Sequence, residues 1–479
     1  MSTLQLAEAN FHEVRVEDRR LILLASTTSL FEADAVSARI IDLLRERGPS
    51  TEDQIVAADG VTGEELRAAL NELCMLGIVA NGEPGRTREL PAISQLPLNT
   101  LVLNVTTGCN LSCTYCYKED LANPARASRM DFETAAAAIE LFLTQSGGGI
   151  LLNIVLFGGE PLTNLPLIRQ VVEYAERRCG EIGREPNFSL TTNGILLDDD
   201  TADYLDAHRF GITVSIDGPP EFHDLNRRTV GGKGTYEMVA RNVIATLARY
   251  KSKPVGARVT LASGVTDVET IFDHLKYDLG FAEVGFAPVT AADDAHYGLS
   301  AEQMQKAFAG MVRLGERYRD AALSGRFIGF SNIHHLMGDL HRGTHKSLPC
   351  GAGAALLAVD HEGKLNLCHR FTGSDLPAFG NLADGIDRSR LRAFLERARD
   401  LTGSDCERCY IRGLCSGGCY HERYRRFGDV FHPSYHYCIL LREWVEFAIG
   451  AYATIANHSP TFFEHYIDAG RYSEMRGLP

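Results

Sequence analysis

Leu101-Val102-Leu103-Asn104-Val105, followed after three residues by Cys109-Asn110-Leu111-Ser112-Cys113-Thr114-Tyr115-Cys116-Tyr117, is the stretch that decides how this chain is read. The first run is apolar and strand-like, and the second carries cysteines at C-x3-C-x2-C. Three thiolates in that pattern can hold only three irons of a cubane. Iron–sulfur clusters normally take four Cys ligands, so the loop leaves one iron open, where a small molecule can bind and receive an electron. The competing readings are a zinc site and a purely structural cluster. Zinc asks for a fourth Cys or His nearby, and none follows before the next strand.

The chain has 479 residues, of which 45% are hydrophobic, enough for two or three domains with real cores. A formal charge of -14 repels a phosphate backbone and argues against nucleic acid as the main partner. No apolar run approaches the length of a membrane span. The start, Met1-Ser2-Thr3-Leu4-Gln5-Leu6-Ala7-Glu8, lacks a basic segment followed by an apolar one, which points to a cytoplasmic protein. Disulfides are rare in that compartment, so twelve cysteines call for another explanation. Ten fall into patterned groups. Cys74 and Cys179 sit within helical patterns and read as small core residues.

Residues 1–85 read as a small separate domain. Val14 and Val16, a turn at Glu17-Asp18-Arg19, and Leu21-Ile22-Leu23-Leu24 predict a hairpin. Val36, Ile40, Ile41 and Leu44 keep helical spacing up to Gly48-Pro49, a short helix covers about 52–58, and Thr62 with Glu65 makes a capping box ahead of Leu66, Leu70 and Leu73. Ile78-Val79-Ala80 would be a wing strand, and 86–97 a linker. From 98 to 325 strands at 101–105, 151–157, 187–191, 211–216, 256–261 and 283–288 alternate with amphipathic helices. Six βα units in series imply a parallel α/β sheet, too few for a full barrel: a partial (β/α)6 barrel open on one side. Chemistry in such barrels sits at the C-terminal ends of the strands. Residues 326–479 carry seven cysteines, little regular pattern, and a closing helix from Ile439 to Ile455.

The second strand ends in Phe157-Gly158-Gly159-Glu160-Pro161, whose glycines would let backbone carbonyls come close to a ligand. The third ends at Thr191-Thr192-Asn193-Gly194 and the fourth at Val214-Ser215-Ile216-Asp217-Gly218, offering hydroxyl, amide and carboxylate groups. Arg227 follows Ser215 by twelve residues, and Arg258 lies inside the fifth strand. Further on come Cys350 and Cys368, then Cys406, Cys409, Cys415 and Cys419 at C-x2-C-x5-C-x3-C, and Cys438.

With these companions, the Cys109 loop resembles that of the radical S-adenosylmethionine (SAM) enzymes, and the later cysteines resemble the SPASM extension of peptide-modifying members. The resemblance implies a [4Fe-4S] cluster on Cys109, Cys113 and Cys116. It also implies an outer auxiliary cluster on Cys406, Cys409, Cys415 and Cys438, and an inner one on Cys350, Cys368 and Cys419. The inner cluster then has either an open iron or a non-Cys ligand, for which His341 and His345 are the candidates. Gly158, Gly159 and Glu160 are implied at the SAM amino group, and Thr192, Asn193, Ser215 and Asp217 around ribose and carboxylate. Arg227 would fork the carboxylate, Tyr115 would pack on adenine, and Arg258 is a further SAM candidate. The reductant would be a flavodoxin or ferredoxin, and no general base is identifiable. The N-terminal segment looks like a winged helix. Its acids Glu52, Asp53, Asp59, Glu64, Glu65 and Glu72, against Arg67 alone, are wrong for a DNA reader. It better resembles the peptide-recognition element of such maturases, in which substrate adds a strand to the hairpin edge.

Within the group, the run from Cys109 to Asp120 and the overall length look most like the maturation enzymes of quinohemoprotein amine dehydrogenase. Those join Cys sulfur to methylene carbons of Asp or Glu in the small subunit. Sulfatase maturases of the superfamily have an Asp after the Cys matched by Cys368; here His369-Arg370 stands there, which counts against formylglycine formation. The alternatives are another radical peptide modification (a Cα thioether or a carbon–carbon link) and, outside catalysis, a redox-sensing winged-helix regulator. Reconstituted protein is expected to carry about twelve irons, measured by iron and sulfide analysis; about four would remove both auxiliary clusters.

Overall fold

The structure is a computed structural model that describes residues 3–57, 63–81, 93, 96, 98–118, 127–146, 151–292, 295–433 and 436–468. The expected capping box at Thr62 and nearly all of the 86–97 linker lie outside the described residues. The N-terminal segment holds β1 (Leu4–Leu6), β2 (Phe11–Val16), β3 (Arg19–Leu24), β4 (Leu30–Glu32), α1 (Ala35–Arg47), α2 (Glu52–Ala57), α3 (Gly63–Met75) and β5 (Val79–Asn81). The expected hairpin is β2–β3. β4 adds to β3, so the hairpin's second strand is interior and the sheet's edges are β2 and β4. β5 does form, but it pairs with β1 and not with the hairpin. Asp34 caps α1 by accepting from the Ser37 amide at 2.7 Å. Ile40, Ile41 and Leu44 of α1 then meet Leu66, Leu70 and Leu73 of α3 in a core of their own. Cys179 is buried as expected, but Cys74 is exposed. The inward stripe of α3 is Leu66, Ala69, Leu70 and Leu73, which turns position 74 outward.

All six expected barrel strands form. They are joined by helices in the order β6 (Thr100–Thr106), α4 (Phe132–Gln145), β7 (Leu151–Gly158), α5 (Leu165–Glu181), β8 (Glu185–Thr192), α6 (Asp199–Ala207) and β9 (Gly211–Ser215). Then follow α7 (Pro220–Asn226), α8 (Tyr236–Arg249), β10 (Val255–Leu261), α9 (Val268–Asp273), β11 (Glu283–Pro288) and α10 (Ala301–Leu323). Neighbouring strands from β6 to β11 pair in parallel. Alternation sorts the two faces. On β7, Leu152, Ile154 and Leu156 are fully buried toward the helices, while Asn153, Val155 and Phe157 face the lumen half-buried. On β10, Val255, Ala257, Val259 and Leu261 face the helices, and Gly256, Arg258 and Thr260 face the lumen.

The cysteine-rich region has more order than its sequence suggests: α11 (Ser331–His341), β12 (Leu356–Val359), β13 (Leu365–Asn366), β14 (Gly380–Asn381), β15 (Gly385–Ile386), α12 (Arg388–Arg399), α13 (Arg412–Cys415), α14 (Tyr420–Phe427) and α15 (Cys438–His458). β12 pairs in parallel with β6 and β13 folds back on β12, so the sheet runs β11-β10-β9-β8-β7-β6-β12-β13. The closing helix α15 packs on α10 and α11 and reaches β2. There Arg19 Nη2 donates to the Ala453 carbonyl at 2.9 Å. Among the described residues no helix is long and apolar enough to cross a membrane.

Candidate active site

The Cys109–Tyr117 loop leaves the C-terminal end of β6 and is gripped from two sides. On one side stand the ends of β7 and β8. The Gly159 amide donates to the Thr106 carbonyl at 3.0 Å and the Glu160 amide to the Gly108 carbonyl at 2.9 Å. A Cβ on Gly158 would lie 2.5 Å from the Thr106 oxygen, and one on Gly159 would lie 2.2 Å from the Gly108 oxygen. The close approach that requires these glycines is therefore to the cysteine loop itself, where the sequence suggested a ligand. Glu160 is buried. Its oxygens accept from the Leu162 amide at 3.1 Å, Thr192 Oγ1 at 2.9 Å and the Asn193 amide at 2.8 Å. Burial pushes its carboxyl up to about 7 against the pull of those donors. Asn193 Nδ2 then donates to Asn110 Oδ1 at 2.8 Å beside Cys109.

On the other side stands the segment after β9. The Ser112 amide donates to the Arg228 carbonyl at 2.8 Å, and the Thr114 amide to the Asn226 carbonyl at 3.1 Å. Arg227 and Asp217 are both buried. The Arg227 fork is already engaged: Nε and Nη2 donate to Asp217 at 2.9 and 3.2 Å. Asp217 also accepts from the Thr260 amide at 2.9 Å and from the Tyr115 hydroxyl. Two expectations change with this. Asp217 spends its carboxylate on Arg227, Tyr115 and β10, and Arg227 keeps only Nη1 outside the pair. The Tyr115 ring packs against Ala262 and Val289, with its hydroxyl fixed and the Arg227 guanidinium 5.5 Å from its centre. Burial opposes the Arg227 charge, but Asp217 outweighs it and the pKa is raised. Ser215 ends β9 half-buried on the lumen face, in register with Arg258 of β10.

The cysteines assemble into three sets. Cys109, Cys113 and Cys116 lie within electrostatic reach of one another. So do Cys350, Cys368 and Cys419, and so do Cys406, Cys409, Cys415 and Cys438. Burial pushes Cys109, Cys368 and Cys415 up to about 12 and Cys113 and Cys406 up to about 11. Iron binding would have to displace those protons, since the thiolate is the ligand. Among the described residues no three His, Cys, Asp or Glu side chains converge closely enough for a single metal ion. A cubane, which interposes its own irons and sulfides, spaces its thiolates more widely. His341 is committed elsewhere, 3.1 Å from Asp468 and stacked on Phe463. His345 packs against Gly413 in the outer set's loop.

Lys118 and Arg423, which the sequence did not single out, join His369 in tying the loops of these sets together. Lys118 Nζ donates to Asn104 Oδ1 at 3.2 Å, the His369 carbonyl at 3.2 Å and Thr372 Oγ1 at 3.1 Å. It thereby fastens the first loop to the one that follows Cys368. Burial lowers its pKa to about 8. His369 is half-buried with its ring 4.2 Å from that of Phe157, and desolvation lowers its pKa. Arg423, fully buried, donates to the carbonyls of Gly417, Val430 and Ser416 at 2.9, 3.2 and 3.1 Å. It shapes the turn between Cys415 and Cys419. Neither Lys118 nor Arg423 carries a local signal, because each partner is distant in the chain or is a backbone atom.

A partial parallel α/β barrel with a three-thiol loop after its first strand is the radical SAM fold. Residues 103–276 match the model of the Radical SAM superfamily. A cysteine-type anaerobic sulfatase-maturating enzyme of Clostridium perfringens is 24% identical over 381 residues, which is 76% of this chain and 99% of that one. The structure of native anSMEcpe with bound AdoMet superposes with a TM-score of 0.65 at 23% identity, covering 75% of this chain and all of that one. Streptococcus suis SuiB bound to its precursor peptide SuiA gives 0.51 at 14% identity, covering 91% of this chain and 99% of that one. At these identities the structural likeness is one of fold.

Glu160 yields a pH test. Its folded pKa of about 7 lies above the ordinary carboxylate value. The stability it contributes is therefore complete below the ordinary value and is lost as pH rises through 7. Denaturation of the metal-free protein should show stability falling over that interval, with the slope reduced in Glu160→Gln; an unchanged slope would place the titration elsewhere.

Proposed function

We propose that this chain is a radical SAM peptide maturase that joins a Cys sulfur to a methylene carbon of Asp or Glu within a small protein subunit. A flavodoxin- or ferredoxin-type reductant would supply its electron. The observation that carries the reading is the sorting of ten cysteines into three sets behind a barrel end, with Lys118 binding the first set's loop to the inner set's. Cys109, Cys113 and Cys116 would hold the cluster that binds SAM, and the other two sets would hold auxiliary [4Fe-4S] clusters. When bound, that cluster and SAM supply a 5′-deoxyadenosyl radical able to take a hydrogen atom from a C–H bond. The chain's own part is to orient and enclose. Glu160, Thr192 and Asn193 fix the loop beside Cys109; Asp217 fixes Arg227 and Tyr115; Ser215 and Arg227 Nη1 would hold the carboxylate of SAM.

The similarity to sulfatase-maturating enzymes favours a second reading, oxidation of a single substrate residue to formylglycine. Against it stands His369, a half-buried neutral ring on Phe157 where those enzymes have a carboxylate. For the N-terminal domain we propose strand addition by the substrate at β4. This moves the docking edge expected on the hairpin, since β4 covers β3 and the closing helix α15 packs against β2. In the β3–β4 ladder Ala33 donates to the Arg20 carbonyl at 2.8 Å. Alternation then turns the amides of Leu30 and Glu32 outward.

Two outcomes test this. Mass spectrometry of the co-expressed substrate should show loss of two hydrogens per link with its sulfur retained. An unmodified substrate despite SAM cleavage excludes the reading; loss of sulfur, or a two-hydrogen loss that fragmentation places on one residue as an aldehyde, selects the formylglycine one. Glu32→Pro removes an outward amide without touching the ladder; it should slow peptide modification at least several-fold and leave uncoupled 5′-deoxyadenosine formation unchanged.

A further inference from the structure

The N-terminal domain sits on two elements of the cysteine-rich region. The first is α15. Alternation along β2 puts His12, Val14 and Val16 on one face of the small sheet. Val14 and Val16, with Leu21 and Leu23 of β3, are buried in the main core, while Phe11, Ile22 and Leu24 turn to the domain's own core. Val16 lies close against Gly450 of α15, where a Cβ would be 3.8 Å from it. His12 Nε2 is 3.3 Å from Glu446 Oε2 of the same helix. The second element is the segment between Cys409 and Cys415. The His12 ring stacks on that of Tyr410, with centroids 3.7 Å apart and planes 11° from parallel. Arg412 Nη1 donates to the Ala9 carbonyl at 2.8 Å. Thr28, fully buried, donates to the Thr344 carbonyl at 2.8 Å. A Cβ on Gly413 would lie 2.6 Å from the Thr28 methyl, so the two chains touch there only because position 413 is glycine.

These two elements are the ones that the outer cysteines join. Cys409 and Cys415 bracket the segment, and Cys438 is the first residue of α15. The Tyr410 hydroxyl donates to the Arg442 carbonyl at 2.7 Å, one turn beyond Cys438. Tyr410 therefore touches the N-terminal domain with its ring and α15 with its hydroxyl. We propose that the outer set is the seat of the N-terminal domain: its four thiolates, on one cluster, hold the Cys409–Cys415 segment to the start of α15, and so fix where β4 presents substrate. The proposal rests on the three-cluster reading above. A surface made of two segments binds well only while the two stay in one arrangement, and ligands from both segments on one centre enforce that. The coupling is reciprocal: a seated domain also holds the two segments together around the cluster.

The test uses the full chain, reconstituted anaerobically with iron and sulfide. Cys438→Ala should lose about four of about twelve irons. Hydrogen exchange read by mass spectrometry should then rise several-fold in segments 7–16 and 25–29, which face the seat, and stay unchanged in α3, which packs in the domain's own core. His12→Ala runs the coupling from the other side. The irons missing from Cys438→Ala should leave it for a ferrous chelator several-fold faster than they leave the unaltered chain, and the remaining irons at the unaltered rate. Val16→Asp puts a charge on the face toward α15 and should speed the same phase further. If either Cys438→Ala or Val16→Asp fails to fold, His12→Ala carries the test alone through that four-iron phase. Iron lowered in Cys438→Ala with exchange unchanged in both segments overturns the seat, and so does a release phase that His12→Ala leaves untouched. Iron unchanged in Cys438→Ala removes the outer cluster itself, and the three-cluster reading falls together with the proposal.

Discussion

The pair formed by Asp217 and Arg227 is the constraint on which the site depends. Four donors converge on one buried carboxylate: the Arg227 fork, the Thr260 amide and the Tyr115 hydroxyl. They come from the segment after β9, from β10 and from the cysteine loop. One saturated carboxylate therefore locks three chain segments that share no regular secondary structure where they meet. A buried pair of this kind gains little net stability over an apolar substitute, but removing one member strands the other and costs about 3–5 kcal/mol. Its value is positional. The aromatic between Cys113 and Cys116 cannot turn without breaking its bond to Asp217, so the spacing of the two thiols is inherited from the sheet.

The opposite grip works by close approach. Glycines at 158 and 159 let the end of β7 touch the backbone of the loop at distances that a Cβ would forbid. Glu160 then reaches across to the end of β8 with two of its three accepted hydrogen bonds. The loop is thus fixed by backbone contact on one side and by an ion pair on the other, both anchored to strand ends. A site carried on rigid elements holds its geometry better than one carried on a free loop, and here the loop borrows that rigidity.

What the sequence conveyed followed from periodicity. The six strands lie within two residues of their expected bounds, because each is an apolar run whose fully buried positions alternate toward the helices, and caps such as Asp131 and Asp198 start the intervening helices. The three cysteine sets were legible through spacing and family resemblance. What escaped was held by contacts that no window of sequence contains. Lys118 meets its partners His369 and Thr372 some 250 positions away. The engagement of Arg227 by Asp217 was hidden because both residues also suit a ligand. β4 and β12 were missed as short apolar runs, three and four residues long. Cys74 was misplaced because a lone cysteine on a helix fits either face.

β12 changes how the cysteine-rich region is understood. It pairs residue for residue with β6, Leu356 beside Thr100 through Val359 beside Leu103. Cys350 precedes this strand and Cys368 follows the turn back through β13. That turn is built by Asp360, which accepts from the amides of Glu362 and Lys364 and from Asn366 Nδ2, each at 3.0 Å, with Gly363 at φ 78°. The same β6 runs out into Cys109. The first and inner sets are therefore mounted on adjacent strands of a single sheet, and Lys118 spans them above it. Their separation follows from strand spacing and register, which leaves little freedom for a linker to alter it. An electron crossing between them would meet a distance set by the barrel, and a substrate held between them would face both without domain movement.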